Sequence, residues 1–143
     1  MIETLMLVDD EDLFHLVFED SCSLLDITLS LKSLKSSDEA ANLFKQWMST
    51  PENRPECVFV DLNIIGSSFD GIELIRKINF EYGDNVVIGI ISSSNEAEEQ
   101  AKAIQAGAQF WIIKSDDIEP RLEEFKKDYE GYKNKTAPFK VYR

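Results

Sequence analysis

Cations are scarce in this chain. Only 15 Lys and Arg stand against 27 Asp and Glu, a formal net charge of −12 with a pI near 4.4. A surface so poor in positive charge cannot displace the counterions of a nucleic acid, so direct nucleic-acid binding is not expected. Anionic membranes are disfavoured for the same reason, and partners with basic patches are favoured. Long apolar runs are missing as well. None approaches the roughly 20 residues of a membrane span. The first ends at Asp9 and Asp10, too early for a signal peptide, so a cytoplasmic protein is expected. Cysteine is limited to Cys22 and Cys57, both in apolar stretches and without zinc or thioredoxin spacing. They read as reduced core residues. The single histidine, His15, reads as a partly exposed structural residue and not as a catalytic base.

What is present is regular. A length of 143 residues suits one ordinary domain, and 43% hydrophobic residues suit a globular one. Strand-like and helix-like patterns alternate from end to end. Residues 4–8 form an apolar run. Phe14, Val17, Phe18, Ser21 and Leu25 then recur at helical spacing. Ile27, Leu29 and Leu31 alternate with polar residues, as in a half-buried edge strand. Ser36 and Glu39 make a capping box ahead of the stripe Ala40, Leu43, Phe44, Trp47 and Met48. Residues 50–55 are a loop. Residues 57–60 are a third strand. Asp70 is placed to cap a helix through Ile72, Ile75, Ile78 and Tyr82, with Gly83 as its stop.

Residues 86–91 are apolar throughout and predict a central strand. Residues 95–107 predict a fourth helix whose apolar face is thin, mainly Ala97, Ala101 and Ile104. A helix anchored so weakly shifts easily. A fifth strand at 110–113 and a fifth helix from near Asp117, with Pro120 in its first turn, complete the series. Such alternation demands a parallel sheet with right-handed crossovers. The expected fold is α/β, a doubly wound (βα)₅ domain of flavodoxin-like type with strand order 2-1-3-4-5, over residues 1–132. Residues 133–143 carry Lys133, Lys135, Lys140 and Arg143 and read as a basic C-terminal tail, packed or mobile.

Three of the predicted strands end in charge. Asp9 and Asp10 follow the first, Asp61 the third and Lys114 the fifth. Ligands of such sheets bind at the carboxyl ends of the strands, near the switch between the first and third. If the strands are neighbours, three carboxylates and one ammonium converge there. Without a cation the carboxylates repel one another and titrate as a coupled group. A divalent ion such as Mg²⁺ needs few protein ligands. Asp10, Asp61 and the carbonyl of Asn63 are candidate ligands, and Asp9 is placed to hold a metal-bound water. A carboxylate whose charge is offset in this way is a competent phosphoryl acceptor. Lys114 is placed to pair with Asp61, or with a phosphoryl oxygen. The Ser92 hydroxyl, at the end of the fourth strand, is placed to donate to the same group. Trp111, three residues before Lys114, is positioned to follow Ser92 inward, which turns a local charge event into a surface change.

With these residues in view, the chain closely resembles the receiver domain of two-component response regulators over residues 3–130. The carriers are Val8-Asp9-Asp10-Glu11, Val60-Asp61-Leu62-Asn63, Asp70-Gly71-Ile72-Glu73-Leu74, Ile90-Ile91-Ser92, and Ala106-Gly107-Ala108 followed by Ile112-Ile113-Lys114. The resemblance implies Asp61 as phosphoacceptor and a sensor histidine kinase or histidine phosphotransfer protein as donor. It implies Asp9 and Asp10 as the acid pair for Mg²⁺, Ser92 as switch hydroxyl, Trp111 in the aromatic switch position and Lys114 as clamp. The chain would be a signalling phosphoacceptor, not an enzyme with a turnover of its own.

Three departures stand out. Ile64-Ile65 and a longer loop through Gly66-Ser67-Ser68-Phe69 replace the family's usual Met-Pro. Ser115 replaces the proline that usually follows the lysine in a cis peptide, so a trans or locally strained bond is expected. Trp111 is larger than the usual tyrosine or phenylalanine and is expected to resist turning fully inward.

The leading expectation is a stand-alone regulator that acts through a protein partner or relays its phosphoryl group. A homodimer through the fourth and fifth helices is compatible with it. A second is a pseudo-receiver binding module that is not phosphorylated. A flavin protein is disfavoured because residues 9–13 lack a Ser/Thr/Gly-rich phosphate loop. A hydrolase with an aspartyl nucleophile is disfavoured because Asn63 stands where its general acid would be.

Overall fold

In the computed structural model, every residue is described except Met48, Ser49, Pro51, Asn53 and Ile65. Met48 of the predicted stripe and two positions of the 50–55 loop therefore lie outside the described residues. In chain order the elements are β1 (Ile2–Val8), α1 (Asp12–Leu24), β2 (Thr28–Leu34), α2 (Ser37–Gln46), β3 (Cys57–Asp61), α3 (Gly71–Tyr82), β4 (Val87–Ser92), α4 (Ala97–Ala106), β5 (Phe110–Ile113), α5 (Glu119–Lys133) and β6 (Lys140–Tyr142). The sheet is parallel, in the order β2-β1-β3-β4-β5-β6. It contains the 2-1-3-4-5 core and one strand more. Among the described residues no helix is long and apolar enough to cross a membrane.

Alternation along the strands divides the core. Met6, Val8, Val58, Val60, Ile88, Ile90 and Trp111 share one cluster with α2, α3 and α4. Leu5, Leu7, Cys57, Phe59, Phe110 and Ile112 share the other with α1 and α5. Strands covered on both faces are buried at every position, as β3 and β4 are, and apolar up to the polar residue that ends each. Cys22 and Cys57 are buried free thiols, and burial pushes both up in pKa, Cys22 to about 12. Gly89 makes room for an aromatic stack, since a Cβ there would come within 2.5 Å of the Phe110 ring. Phe110 in turn lies 5.0 Å from Phe59 and 4.6 Å from Phe125.

The caps follow the local chemistry. Ser36 Oγ accepts from the Glu39 amide at 3.1 Å, and Asp70 Oδ1 from the Glu73 amide at 2.9 Å. Gly107, at φ +115°, ends α4 in the left-handed conformation a side chain resists. Gly83 is the C-cap of α3, as expected, but without a left-handed turn. Its φ is −50°, and the chain passes from α3 into a 3₁₀ turn over Gly83–Asn85.

Two other elements depart from expectation. The buried face of α4 is Ala103 and Ala106, whereas Ala97, Ala101 and Ile104 are exposed. The stripe at 97, 101 and 104 has helical spacing, but the face that packs inward is a different one. The face is nonetheless as thin as predicted. The larger addition is at the C terminus. Residues 140–142 pair with Phe110, Trp111 and Ile112 of β5. Tyr142 is buried, and its hydroxyl lies 2.8 Å from that of Tyr132 and 2.7 Å from Asp128 Oδ2. Lys140 Nζ bridges Glu124 at 2.6 Å and Asp128 at 3.1 Å.

Candidate functional site

The site is built from strand ends. β1 delivers Asp9 and Asp10, β3 ends on Asp61, β4 ends on Ser92, and Lys114 directly follows β5. In register Val8 pairs with Val60, Asp61 with Ile91 and Ser92 with Ile113, so these residues share one edge of the sheet. Oxygen atoms of Asp9, Asp10, Glu11 and Asp61 all lie within 4.8 Å of one another. Lys114 Nζ reaches Asp9 Oδ2 at 2.7 Å, Glu11 Oε1 at 2.7 Å and Asp61 Oδ2 at 3.5 Å. The predicted acids and amine are thus brought together. The amine leans toward the acid pair and Glu11, farther from Asp61.

Burial sharpens the electrostatics. Asp9 is fully buried and Asp61 nearly so. Desolvation, then the negative charge of Asp9 and Asp10, push Asp61 up to about 7, against the opposing pull of Lys114 and a hydrogen bond from the Asn63 backbone. Burial works against the Lys114 ammonium, yet its bonds to Asp9 and Glu11 and the nearby Asp61 hold its pKa above the ordinary lysine value. A small oxygen-seeking cation suits this donor set: clustered hard oxygens, crowded negative charge, and partial solvent access through the half-buried Asp10 and exposed Glu11. Asn63 is exposed just past β3.

Neighbouring residues hold the arrangement. α3 starts directly against the site because Gly71 has no side chain. A Cβ there would overlap the Asp61 carbonyl and lie 3.1 Å from Val60 Cγ1. The Lys114 ammonium lies 4.5 Å above the Phe14 ring. Ser92 is buried, and its Oγ accepts from the Ser94 amide at 3.1 Å. Trp111 is fully buried and its indole N–H donates to the Ser94 carbonyl at 3.0 Å. The expectation that its bulk would keep it from turning inward is therefore corrected. Its core cluster includes Ala103, Ala106 and Ala108, whose small side chains leave room for an indole.

The unusual segments have definite places. The described part of the 64–69 loop is tied to the start of α2: Ser67 Oγ accepts from the Ser37 amide and Asp38 Oδ2 from the Ser68 amide, both at 2.9 Å. There is no cis peptide among the described residues, so the bond after Lys114 is trans. Ser115 Oγ accepts from the Asp117 amide and from Arg121, bonds that a proline could not offer. Sequence reasoning missed Glu11 as a partner of Lys114, although the acidic run 9–12 signals it. It also misjudged His15, which is buried, with Nε2 2.6 Å from the Asp9 carbonyl.

Buried acids and one amine lie at the carboxyl edge of a doubly wound parallel sheet, where ligands of such sheets bind. The chain belongs to the response regulator receiver domain family, whose sequence pattern matches residues 5–124. No curated protein matches it. Solved structures share the fold. The Mn²⁺-bound form of response regulator Rcp1 is 19% identical, with a TM-score of 0.72 over 89% of this chain and 94% of that one. The phosphorylated cyanobacterial phytochrome response regulator RcpA is 18% identical, with a TM-score of 0.73 over 96% of this chain and 97% of that one. The receiver domain of NtrX from Brucella abortus is 23% identical, with a TM-score of 0.62 over 85% of this chain and 96% of that one.

Proposed function

We propose that Asp61 accepts a phosphoryl group from a phosphohistidine on a sensor histidine kinase or histidine phosphotransfer protein, and that the domain then alters a protein-binding surface. The observation that carries this reading is the cluster of Asp9, Asp10, Glu11 and Asp61, three of which pair with the Lys114 amine. Asp10, Asp61 and the Asn63 carbonyl are the proposed ligands of Mg²⁺, with Asp9 orienting a bound water. Bound there, Mg²⁺ would offset the charge of the carboxylates and of the incoming phosphoryl oxygens.

In the transfer, an Asp61 carboxylate oxygen forms the new bond to phosphorus. The phosphorus–nitrogen bond breaks and its electron pair stays on the donor imidazole. Lys114 shifts its hydrogen bonds from Glu11 and Asp9 toward a phosphoryl oxygen. Ser92 Oγ–H donates to another and draws the Ser92–Ser94 segment inward. The Ser94 carbonyl carries the Trp111 indole with it, so the displacement reaches β5. The donor's approach is supported by exposed Leu13 and Leu16 on α1. Beside them is a cleft of about 330 Å³ lined by Glu11, Leu13, Val17, Lys114 and Ser115. The reading places the domain in the cytoplasm, as a signalling acceptor and not an enzyme. A homodimer through α4 and α5 would have to accommodate β6 at the same flank of the sheet.

Incubation with acetyl phosphate and Mg²⁺, followed by intact mass measurement, tests the reading. One added phosphoryl group is expected on the wild type and none on Asp61→Asn. No gain on the wild type, or a gain that survives Asp61→Asn, overturns it. The replaced 64–69 loop and Ser115 favour a second reading, a receiver-like binding module without phosphorylation. It predicts partner binding indifferent to Mg²⁺ and to Asp61→Asn.

A further inference from the structure

We propose that His15 is a positioning residue for the cation site, acting through the peptide bond between Asp9 and Asp10. This inference rests on the function proposed above and adds a residue to it. Asp9 is held at four points. Its N–H donates to the Leu34 carbonyl of β2 at 2.9 Å. Its Oδ1 accepts from the Glu11 amide at 2.8 Å, and its Oδ2 pairs with Lys114 at 2.7 Å. The fourth point is the backbone carbonyl, which lies 2.6 Å from His15 Nε2. A carbonyl oxygen only accepts, so Nε2 carries the hydrogen.

The position of this bond gives it consequence. Asp9 lies one residue past the end of β1, where the ladder no longer supplies a donor for its carbonyl. The peptide plane is rigid, so fixing the Asp9 carbonyl also fixes the direction in which the chain enters Asp10. Rotation of that plane would re-aim the Asp10 carboxylate relative to Asp9 and Asp61. His15 sits in the first turn of α1, where its own N–H bonds the Glu11 carbonyl at 3.2 Å. The imidazole is therefore carried by a rigid element that begins two residues after Asp10.

The other ring nitrogen supports the assignment. His15 Nδ1 is buried with no hydrogen-bond partner among the described residues. A buried unsatisfied polar atom is unfavourable, and an aliphatic side chain of similar size would avoid it. The ring therefore carries a local penalty at Nδ1 while Nε2 braces the acid loop, as outer groups brace metal-site ligands.

His15→Leu and His15→Gln test this with Mg²⁺ alone as the probe. Gln places an amide N–H near the position of Nε2, and Leu places none. Calorimetric titration is expected to show Mg²⁺ binding weakened roughly tenfold in His15→Leu and within about threefold of wild type in His15→Gln. The urea midpoint of His15→Leu should change little, because relief at Nδ1 is offset by the donor the Asp9 carbonyl loses. Phosphorylation by acetyl phosphate should need more Mg²⁺ in His15→Leu but approach the wild-type rate at saturation. A purely packing role would not produce this split. Equal Mg²⁺ affinity in His15→Leu and wild type, with the wild type phosphorylated, overturns this inference alone. A wild type that neither binds Mg²⁺ nor accepts a phosphoryl group overturns the proposed function and this inference with it. If His15→Leu does not fold, the wild type decides by nuclear magnetic resonance. Added Mg²⁺ should shift the Asp9 carbonyl carbon and His15 Nε2 signals, and unmoved signals overturn the inference.

Discussion

Two charged networks sit in different parts of the same sheet, one at the carboxyl ends of its inner strands and one at its β5–β6 side, and they are built on opposite terms. At the β5–β6 corner, Lys140 joins Glu124 and Asp128, and the Tyr132 and Tyr142 hydroxyls complete the set. Its charges are partly solvated and its hydroxyls have partners. At the carboxyl ends of β1 and β3, four carboxylates cluster, three of them pair with one amine, and two of the four are buried. The first network is arranged to hold the chain down. The second keeps like charges closer than folding alone would favour, a conflict that a bound cation would relieve. Residues that break a local rule at the expense of stability mark where function resides.

The largest expected effect is a gain of stability from removing that conflict. Asp61 is raised in the folded state from 3.8 to about 7. The unfolded chain therefore loses this proton first. Stability contributed by the protonated carboxyl is full below about pH 4, falls between 4 and 7, and is gone above 7. In the absence of divalent cations, Asp61→Asn should be more stable than wild type at pH 8 by roughly 2–4 kcal/mol, and near equal at pH 4. Urea titrations at both pH values with chelator check this. No difference between them would mean the acid cluster is not strained, and the contrast with the corner would vanish.

Gly71→Ala comes next. The added methyl meets the Asp61 carbonyl and Val60, neither of which can retreat without moving β3. A loss of about 2–3 kcal/mol is expected by thermal or chemical unfolding. Mg²⁺-dependent phosphorylation should fall with it, because the carboxylate moves with its backbone.

At the corner, Tyr142→Phe removes the bonds to Tyr132 and Asp128 while keeping the ring. It should cost about 1–2 kcal/mol and raise hydrogen exchange at β6, with phosphorylation unchanged. The smallest loss of stability in urea unfolding belongs to Lys140→Met, because its pairs are largely solvated. Asp128 carries a pH signature here. The Tyr142 hydroxyl, then Lys140, lower its pKa from 3.8. Its contribution is present above about pH 4 and lost as pH falls through its lowered value, whereas the Asp61 effect runs the other way between pH 4 and 7. Opposite slopes in the two windows would sharpen the comparison.

Much of this was legible in the residues. Runs of Val, Ile and Phe ending in Asp9, Asp61 and Lys114 announce buried strands whose carboxyl ends carry charge. Ser36 and Asp70 announce the helix starts they cap. These are short-range signals, carried by spacing and by bonds within a few residues. Other features arise only from long-range packing. Lys140, Val141 and Tyr142 read as part of a tail because three residues give no period, and their strand exists only because β5 offers an open edge. Helical spacing on α4 points to Ala97, Ala101 and Ile104, but Ala103 and Ala106 turn inward, a choice made by packing against the sheet and not by period. Trp111 fits inside because the helix over it presents alanines.

By itself, the sequence determined the alternating parallel architecture and the placement of acids and a lysine at strand ends, since period and local caps suffice for both. Tertiary structure alone decided that Lys114 leans on Asp9 and Glu11 and that His15 braces the Asp9 carbonyl. It also decided that the C terminus closes the sheet edge. Those contacts join residues from separate elements, and their geometry exists only once the strands have paired and the helices have docked.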